Sequence, residues 1–352
     1  MGAFICQVSK MDWLVSRRIG VYGNREGTDT DGIVQYFNKS KHGTQTIQSI
    51  IEDLIGMKKG DIVFFHVLEE QAESTLHGVY RVREEPFYND KLGIWKSSAS
   101  LVYPYRFCFE PHPDYTELCK HDVSIPVSEF YRSVEQRKVI SVLTLEREVR
   151  GAAHAVKKIT ENDGVEITRL LYRKQDMLPS NELIEFHPVQ MAMSPLRNYI
   201  EKIGSIEFSI KALLAYELGR KNPGIVKFFP ACRSLKFDVL IEAFIGQTMR
   251  RPIDLMCISA NKDVIVTTIE AKTDQSDIYD LVQTLEYQDI FKLRNTDKGA
   301  LNFNFSICLL AKRFSPKLIE YVTIRNLILL WEEIILLRYD PSLDGKSANF
   351  FL

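Results

Sequence analysis

The stretch TTIEAKTDQSDIYDLVQTLEY, residues 267–287, decides the fold predicted for the C-terminal half of the chain. Its β-branched start is typical of a strand, and that strand ends with Glu270 and Lys272. Side chains alternate across a strand, so Glu270 and Lys272 share one face while Ala271 points to the other. The apolar residues that follow recur at helical spacing. We therefore predict a strand and a helix with a carboxylate and an ammonium at their junction.

A second carboxylate, Asp254, opens the preceding strand-like stretch RPIDLMCIS. The turn sequence ANKD separates the two stretches, so we expect antiparallel neighbours with Asp254 beside Glu270. Two converging carboxylates repel each other unless a cation lies between them. Oxygen ligands suit Mg²⁺, which polarises a phosphate and lowers the pKa of a bound water, and Lys272 would orient that water. The pattern predicts metal-dependent hydrolysis of phosphodiesters, with Asp254 and Glu270 as metal ligands.

The surrounding elements predict an α/β sandwich for residues 196–352. We expect a helix in IEFSIKALLAYELGRKNPG and strands in VLIEAFIG, RPIDLMCIS and VIVTTIEAK. A long helix, SDIYDLVQTLEYQDIFKL, then precedes the strand FNFSICLLAKRF, the helix SPKLIEYVTI and a final strand LILLWEE. Gln283 and Tyr287 are four residues apart on the long helix, so they share a helix face near Glu270.

Together, IDLMCI, VIVTTIEAK and LVQTLEY resemble the PD-(D/E)XK nuclease superfamily, in the form with a Q-x-x-x-Y helix found in restriction and archaeal repair endonucleases. The resemblance covers about residues 205–333. It implies that Asp254 and Glu270 bind Mg²⁺, with Mn²⁺ as a substitute, and that Lys272 assists the attacking water. The helix bearing Gln283 and Tyr287 would line the DNA side.

Many members of this superfamily also carry a glutamate on the first helix. The candidates here are Glu207 and Glu217, and Glu207 is preferred because Glu217 lies close to the predicted end of the helix. The catalytic residues that the resemblance implies are Glu207, Asp254, Glu270, Lys272 and Gln283.

The first hundred or so residues read as short strands and turns with one helix, which suggests a small barrel or curled sheet of α+β class. FICQVS, KKGDIVFFHVL, LHGVYRVREEPF and YPYRFCFEP are the strand-like stretches. Across about Phe4 to Pro111 they resemble the EVE domain of the PUA-like group. This resemblance implies a reader of modified bases, in which a flipped base stacks in an aromatic pocket.

Candidate contacts to the nucleic acid follow from the residue types that such a pocket needs. The aromatic candidates are Trp13, Tyr22, Phe65, His66 and Trp95. Ser9 and Asn24 would supply polar contacts, and Arg17, Arg18 and Arg25 would meet phosphates. Trp and Tyr in a small barrel are usually core, so we expect about half of the aromatic candidates to serve packing alone.

The chain is therefore divided into a reader domain (1–112), a mainly helical connecting region (113–195) and a nuclease domain (196–352). In the connecting region we predict helices in SEFYRSVEQ and LTLEREVRGAAHAVKKI, the latter ending before TENDG. A strand is expected in GVEITRLLYRK.

Composition narrows the function classes. A formal net charge of -1 over 352 residues excludes a basic surface along the whole chain but leaves room for a local basic groove. The six cysteines show no zinc-ligand spacing, so buried thiols and a cytoplasmic setting are expected. The first residues lack the features of a signal peptide, and Glu332 and Glu333 interrupt the apolar LILLWEEIILL, so we expect no membrane span.

Taken together, the sequence predicts a modification-dependent DNA endonuclease that restricts foreign DNA. A homodimer is one expected arrangement, since cutting two strands needs two sites. Three alternatives remain open at this level. They are a repair nuclease for damaged, mismatched or branched DNA, a non-catalytic reader of modified DNA or RNA, and a subunit that needs a partner.

Overall fold

The computed structural model describes residues 2–24, 51, 54–69, 72–89, 94, 103–137, 141, 156–175, 183–190, 194–196, 206–243, 253–260, 263–295, 303–329, 332–341 and 348–352. The chain divides into two units. The first comprises Met1–Val139 and Arg147–Ile203, and the second comprises Ile140–Glu146 and Gly204–Leu352.

The described part of the first unit combines a sheet with short helices. Its strands are β1 (Ala3–Ser9), β2 (Val21–Asn24), β3 (Ile62–Leu68), β4 (Thr75–Val82), β5 (Phe87–Tyr88), β6 (Tyr105–Pro111), β7 (Ser124–Pro126), β8 (Val156–Ile159) and β9 (Ser194–Pro195). Its helices are α1 (Lys10–Ile19), α2 (Thr116–Lys120), α3 (Val127–Arg137) and α4 (Glu161–Arg173), with a 3₁₀ turn at Pro113–Tyr115.

The strands pair in the order β8-β1-β3-β4-β6-β5-β9, with β2 on β6 and β7 on β4. β1 runs parallel to β3 and antiparallel to β8. The result is a curled, half-barrel sheet in a mixed α/β unit, as the strand-rich start of the sequence predicts. The four predicted N-terminal strands coincide with β1, β3, β4 and β6.

Local chemistry sets the ends of α1 between β1 and β2. Ser9 begins the helix by accepting a hydrogen bond from the backbone N–H of Asp12 at 3.1 Å. Gly20 ends it in the left-handed conformation, with φ of 66°. A side chain at Gly20 would also meet the carbonyl oxygen of Phe109 at 2.5 Å, so only glycine fits there.

Two predictions in the connecting region are wrong. GVEITRLLYRK is not a strand, because it lies within α4. TENDG does not stop a helix but starts one, since the Thr160 hydroxyl accepts from Asp163 N at 3.1 Å and donates to Asp163 Oδ2 at 2.8 Å. The end of LTLEREVRGAAHAVKKI forms β8 rather than helix, and residues 142–155 lie outside the described part.

Apart from Ile140–Glu146, the connecting region also belongs to the first unit. It supplies β7 and β8 to the sheet through pairing with β4 and β1, and the unit ends at Ile203 rather than at residue 195. Its described helices include α3, which coincides with the predicted SEFYRSVEQ.

The second unit is built on a sheet with helices on both faces. Its described strands are β10 (Asp238–Ala243), β11 (Ile253–Ala260), β12 (Val264–Ala271), β13 (Gln275–Ser276), β14 (Phe303–Ala311), β15 (Arg313–Phe314), β16 (Glu333–Pro341) and β17 (Ala348–Phe351). Its helices are α5 (Ile206–Gly219), α6 (Pro223–Val226), α7 (Ile278–Asn295) and α8 (Pro316–Ile324), with a 3₁₀ turn at Pro230–Arg233 and a π-helical turn at Arg325–Leu329.

The main sheet has the order β10-β11-β12-β14-β16-β17. β11 and β12 form an antiparallel pair, whereas β12, β14 and β16 run parallel, with α7 and α8 in the two crossovers. Alternate residues of β14 face opposite layers. Cys308 packs with Leu214 of α5, and Leu309 packs with Leu281 of α7 and Leu318 of α8. This is the α/β sandwich that the sequence predicts.

The predicted final strand is misplaced. LILLWEE begins in the π-helical turn that continues α8, and β16 starts only at Glu333. The Asn326 side chain holds this turn against the start of β16, because it accepts from Ile334 N at 3.1 Å and donates to Ile334 O at 2.8 Å. The Asn326 side chain therefore makes the backbone hydrogen bonds that a residue of a neighbouring strand would otherwise make.

Within the described part of the chain, no helix combines the length and apolar character needed to cross a membrane.

The start of α4 leads to a stability prediction. Thr160→Val keeps the side-chain shape but removes the hydroxyl that caps the helix, so we expect a loss of about 1 kcal/mol in the free energy of unfolding. Urea unfolding followed by circular dichroism measures this loss. The control is Thr168→Val within the same helix, where the hydroxyl donates only to the Gly164 carbonyl and a change within about 0.5 kcal/mol is expected. Equal effects of the two variants would contradict the capping role of Thr160.

Candidate active site

Asp254 and Glu270 are brought together by the β11–β12 pairing. Leu255 pairs with Ile269 in antiparallel register, which places Asp254 and Glu270 side by side at the strand ends. Asp254 Oδ2 accepts the backbone N–H of Ala271 at 2.8 Å, so its carboxylate is fixed to the end of β12. The predicted antiparallel arrangement is confirmed.

Glu270 is the buried centre of the site, with 4% of its surface exposed. Its Oε1 accepts from Lys272 Nζ at 2.7 Å and from Gln283 Nε2 at 3.2 Å. The Gln283 amide also donates to the Tyr287 hydroxyl. The expected convergence of the α7 face on Glu270 is therefore present, and it joins Gln283 and Tyr287 in one hydrogen-bonded chain.

The start of α7 is tied to the same site. Asp280 Oδ2 accepts from the Ser276 hydroxyl and from the backbone N–H of Asp277, both at 2.9 Å. Its other oxygen lies 3.5 Å from Lys272 Nζ. Lys272 thus bridges Glu270 and Asp280, and the first turn of α7 is held beside the end of β12.

Burial and neighbouring charges raise the pKa values of Glu270, Lys272 and Tyr287. Burial and the nearby Asp254 carboxylate raise the pKa of Glu270 from 4.5 to about 7. Burial alone would lower the pKa of Lys272, but the hydrogen bond and charge of Glu270, together with the charges of Asp280 and Asp254, outweigh burial and raise it. Burial raises the pKa of Tyr287 to about 12, so its hydroxyl stays protonated. Lys272 therefore remains a cation beside a carboxylate that titrates near neutral pH.

Two further charged or polar residues of the site were not identified from the sequence. Lys211 of α5 places its Nζ 3.3 Å from Asp254 Oδ1. Its signal in the sequence is a single lysine inside the apolar run of FSIKALLAYEL. Tyr339 of β16 donates to the Thr273 carbonyl at 2.7 Å and to the Lys272 carbonyl at 3.3 Å, which anchors the chain just after the site lysine.

The structure distinguishes the two first-helix glutamates. Burial, and then the charge of Glu207, raise the pKa of Tyr339 to about 12, so the Glu207 carboxylate is near enough to act on that hydroxyl. Glu217 lies towards the C-terminal end of α5, where it accepts from Asn222 Nδ2 at 2.8 Å. The preference for Glu207 as a site residue stays a prediction.

The donor set fits a hydrated divalent cation. Glu270 Oε2 is buried and has no hydrogen-bond partner among the described residues, and it lies next to a second carboxylate, Asp254. Across the described part of the chain, no three or more His, Cys, Asp or Glu side chains are grouped to hold a metal. Mg²⁺ usually keeps several waters and takes only one or two carboxylates, so this pair suits Mg²⁺ and does not form an all-protein cage.

The aromatic residues proposed to stack on a base are core residues in this structure. Trp13, Tyr22 and Phe65 are 2%, 3% and 0% exposed. The ring centroids of Trp13 and Phe65 lie 4.6 Å apart, and those of Tyr22 and Phe65 lie 6.0 Å apart. His66 is likewise buried, and its Nε2 is 2.8 Å from the Ser74 hydroxyl. These rings pack against one another because a curled sheet fills its interior with large apolar side chains.

The polar and basic candidates of the first unit differ in their burial and in their partners. Ser9 caps α1, and Asn24 is buried and accepts from the Tyr22 hydroxyl at 3.3 Å. Arg17 pairs with Asp122, whereas Arg18 is exposed. Trp95 and Arg25 lie outside the described residues. Among the described candidates, Arg18 is therefore the one whose side chain is presented to solvent for a phosphate.

Asp122 explains why Arg17 turns inwards. Its Oδ1 accepts from Trp13 Nε1 at 3.2 Å and lies 2.9 Å from His77 Nδ1, while Oδ2 pairs with Arg17. This one carboxylate ties two residues of α1 to β4.

The raised pKa of Glu270 gives a stability prediction with a defined sign. Between pH 4.5 and about 7 the folded protein holds this proton while the unfolded chain has released it, so stability falls as the pH rises through this window and stays lower above pH 7. In the absence of divalent cations, Glu270→Gln should therefore be more stable than the wild type at pH 8, by up to about 3 kcal/mol. The difference should disappear near pH 5.

Denaturant unfolding at several pH values in EDTA measures this difference. The control is Glu286→Gln, an exposed glutamate of the neighbouring helix α7, which should show no comparable pH-dependent gain. A stability difference for Glu270→Gln that is the same at pH 5 and pH 8 would contradict the electrostatic account.

No protein-family model and no curated protein matches this sequence. The chemistry of the site is therefore argued from its own side chains: two adjacent carboxylates, a lysine on each of them, and a glutamine that joins the strand end to α7.

Proposed function

We propose that this chain is a Mg²⁺-dependent DNA endonuclease of the PD-(D/E)XK type. The observation that carries the proposal is the convergence of Asp254, Glu270, Lys272 and Gln283 at the junction of β11, β12 and α7. The order of elements supports the proposal as well. A helix, an antiparallel strand pair, a long helix and further parallel strands follow one another, as expected for the PD-(D/E)XK superfamily that the sequence resembles.

The side chains have distinct roles in this proposal. Asp254 and Glu270 would hold the cation, and Glu270 Oε2 is buried without a hydrogen-bond partner among the described residues. When bound, Mg²⁺ supplies Lewis-acid polarisation of the phosphate and a water of lowered pKa. Lys272, whose side chain is about a quarter exposed, orients the water and stabilises the negative charge that develops on the phosphate. Gln283 keeps the Glu270 carboxylate oriented, and Glu207, in the first turn of α5, would be a further acidic residue of the site.

The first unit is proposed to read a modified base, which would make the enzyme a restriction nuclease for modified foreign DNA. Its curled sheet and the exposed Arg18 support this part. The buried Trp13, Tyr22 and Phe65 do not, so the base contacts would come from other residues of the unit.

Cleavage assays test the nuclease centre. Asp254→Ala and Glu270→Ala each remove one of the two cation ligands, so we expect cleavage in Mg²⁺ to fall on the order of 10³-fold, and EDTA to abolish it. The matched control is Asp263→Ala, an exposed carboxylate at the other end of the β11–β12 hairpin, which should cleave like the wild type. Wild-type cleavage by either site variant would refute the assignment.

Matched DNAs test the reader. They carry unmodified cytosine, 5-methylcytosine, 5-hydroxymethylcytosine, glucosylated hydroxymethylcytosine or N6-methyladenine. We expect Mg²⁺-dependent cutting of one modified DNA and little cutting of the unmodified one. Equal cutting of all five DNAs would support the nuclease activity and contradict the proposal that the first unit reads a modified base. Binding of a modified DNA or RNA without any cutting would favour the non-catalytic reader.

A further inference from the structure

Lys211 is a cationic residue of the site to which the resemblance gives no role. It is 7% exposed, and it lies between the buried Ile210 and Ala212 in the apolar middle of α5. Lysine is almost never buried to this extent unless an anion compensates the charge. Asp254 Oδ1, 3.3 Å from Lys211 Nζ, supplies that compensation.

The two oxygens of Asp254 are held in different ways. Oδ2 accepts from the backbone N–H of Ala271, a donor that cannot leave without opening the end of β12. Oδ1 accepts from Lys211, whose ammonium ends a flexible four-carbon chain. A cation shared with Glu270 would therefore take Oδ1, because rotation of one side chain is enough to release that oxygen.

We propose that Lys211 is an exchangeable counter-ion, which neutralises Asp254 in the metal-free protein and gives up Oδ1 when the divalent cation binds. The inference rests on the proposed function, since it takes the cation to lie between Asp254 and Glu270. An ammonium and a divalent cation on one partly buried oxygen repel each other strongly, so the two occupants exclude one another. Each expected metal ligand thus has its own lysine, Lys211 on Asp254 and Lys272 on Glu270.

If Lys211 exchanges with the cation, removal of its charge should lower the stability of the metal-free protein and raise the affinity for the cation. The metal-free protein becomes less stable, because Asp254 and Glu270 then repel each other with Lys272 as the remaining cation described beside them. The affinity of the site for the divalent cation increases, because the cation no longer has to displace an ammonium. A lysine that only supported the shape of the site would, on replacement, weaken both properties.

The test is calorimetric titration of Mg²⁺ and of Mn²⁺ into the metal-free full chain, together with thermal unfolding in EDTA. The variants are Lys211→Met, which keeps the length and apolar stem, Lys211→Arg, which keeps the charge, and Lys227→Met. Lys227 is an exposed lysine of the same unit, so its replacement matches the loss of one positive charge. If Lys211→Met fails to fold, Lys211→Gln takes its place.

We expect Lys211→Met to lower the Kd for the cation roughly tenfold while lowering the unfolding temperature in EDTA. Lys227→Met should bind the cation like the wild type, and Lys211→Arg should stay closer to the wild type than Lys211→Met does. If Lys211→Met binds the cation and the wild type does not, the exchange is also supported, because the Lys211 ammonium would then keep the cation off Asp254 in the wild type.

An unchanged or higher Kd in Lys211→Met would overturn the inference. If the wild type binds Mg²⁺ and cuts DNA in that case, the proposed function stands and only the role of Lys211 falls. If neither the wild type nor any Lys211 variant binds a divalent cation, the inference and the Mg²⁺ dependence of the proposed function fall together.

Discussion

The cost of burying the Glu270 carboxylate beside Asp254 is the constraint on which the second unit depends. A buried charge is tolerated only when hydrogen bonds and opposite charges compensate for lost hydration. Here the compensation comes from three separate elements: Lys272 at the end of β12, Gln283 on α7 and Lys211 on α5. Because each element contributes one group, the charged centre fixes the positions of α5 and α7 relative to the strand pair.

The two lysines of this centre differ in access. The Lys272 side chain is 26% exposed and the Lys211 side chain is 9% exposed. In the proposed nuclease, the more accessible ammonium would contact the substrate phosphate, and the buried one would balance charge within the protein. The same carboxylates would then link protein stability to cation binding, since a ligand that binds only the folded state stabilises it.

The first unit depends on a different interaction. Asp122, in a left-handed conformation with φ of 49°, joins Trp13 and Arg17 of α1 to His77 of β4. This contact brings α1 onto an aromatic interior in which Trp13 packs on Phe65. Residue types that suit base stacking suit this interior equally well, because a flat apolar ring is favourable in both settings. The choice between these two roles is made by burial, and here it favours the core.

By itself the sequence determined the parts of the molecule that follow from local periodicity. Strand alternation put Glu270 and Lys272 on one face, a short turn placed Asp254 on the preceding, adjacent strand, and helical spacing put Gln283 and Tyr287 on one face. Four strands of the first unit (β1, β3, β4 and β6) and four of the second (β10, β11, β12 and β14) followed from the same patterns.

Only the tertiary structure decided the contacts between residues far apart in the chain. Lys211 meets Asp254 across 43 positions, and β8 joins β1 although the two strands begin more than 150 residues apart. The identity of α4 was also settled at this level, because its apolar residues fit both a strand and a helix until Thr160 caps the first turn and the buried side chains fall on one helix face. Charge compensation and burial act between elements, so no local period in the sequence records which partner each side chain finds.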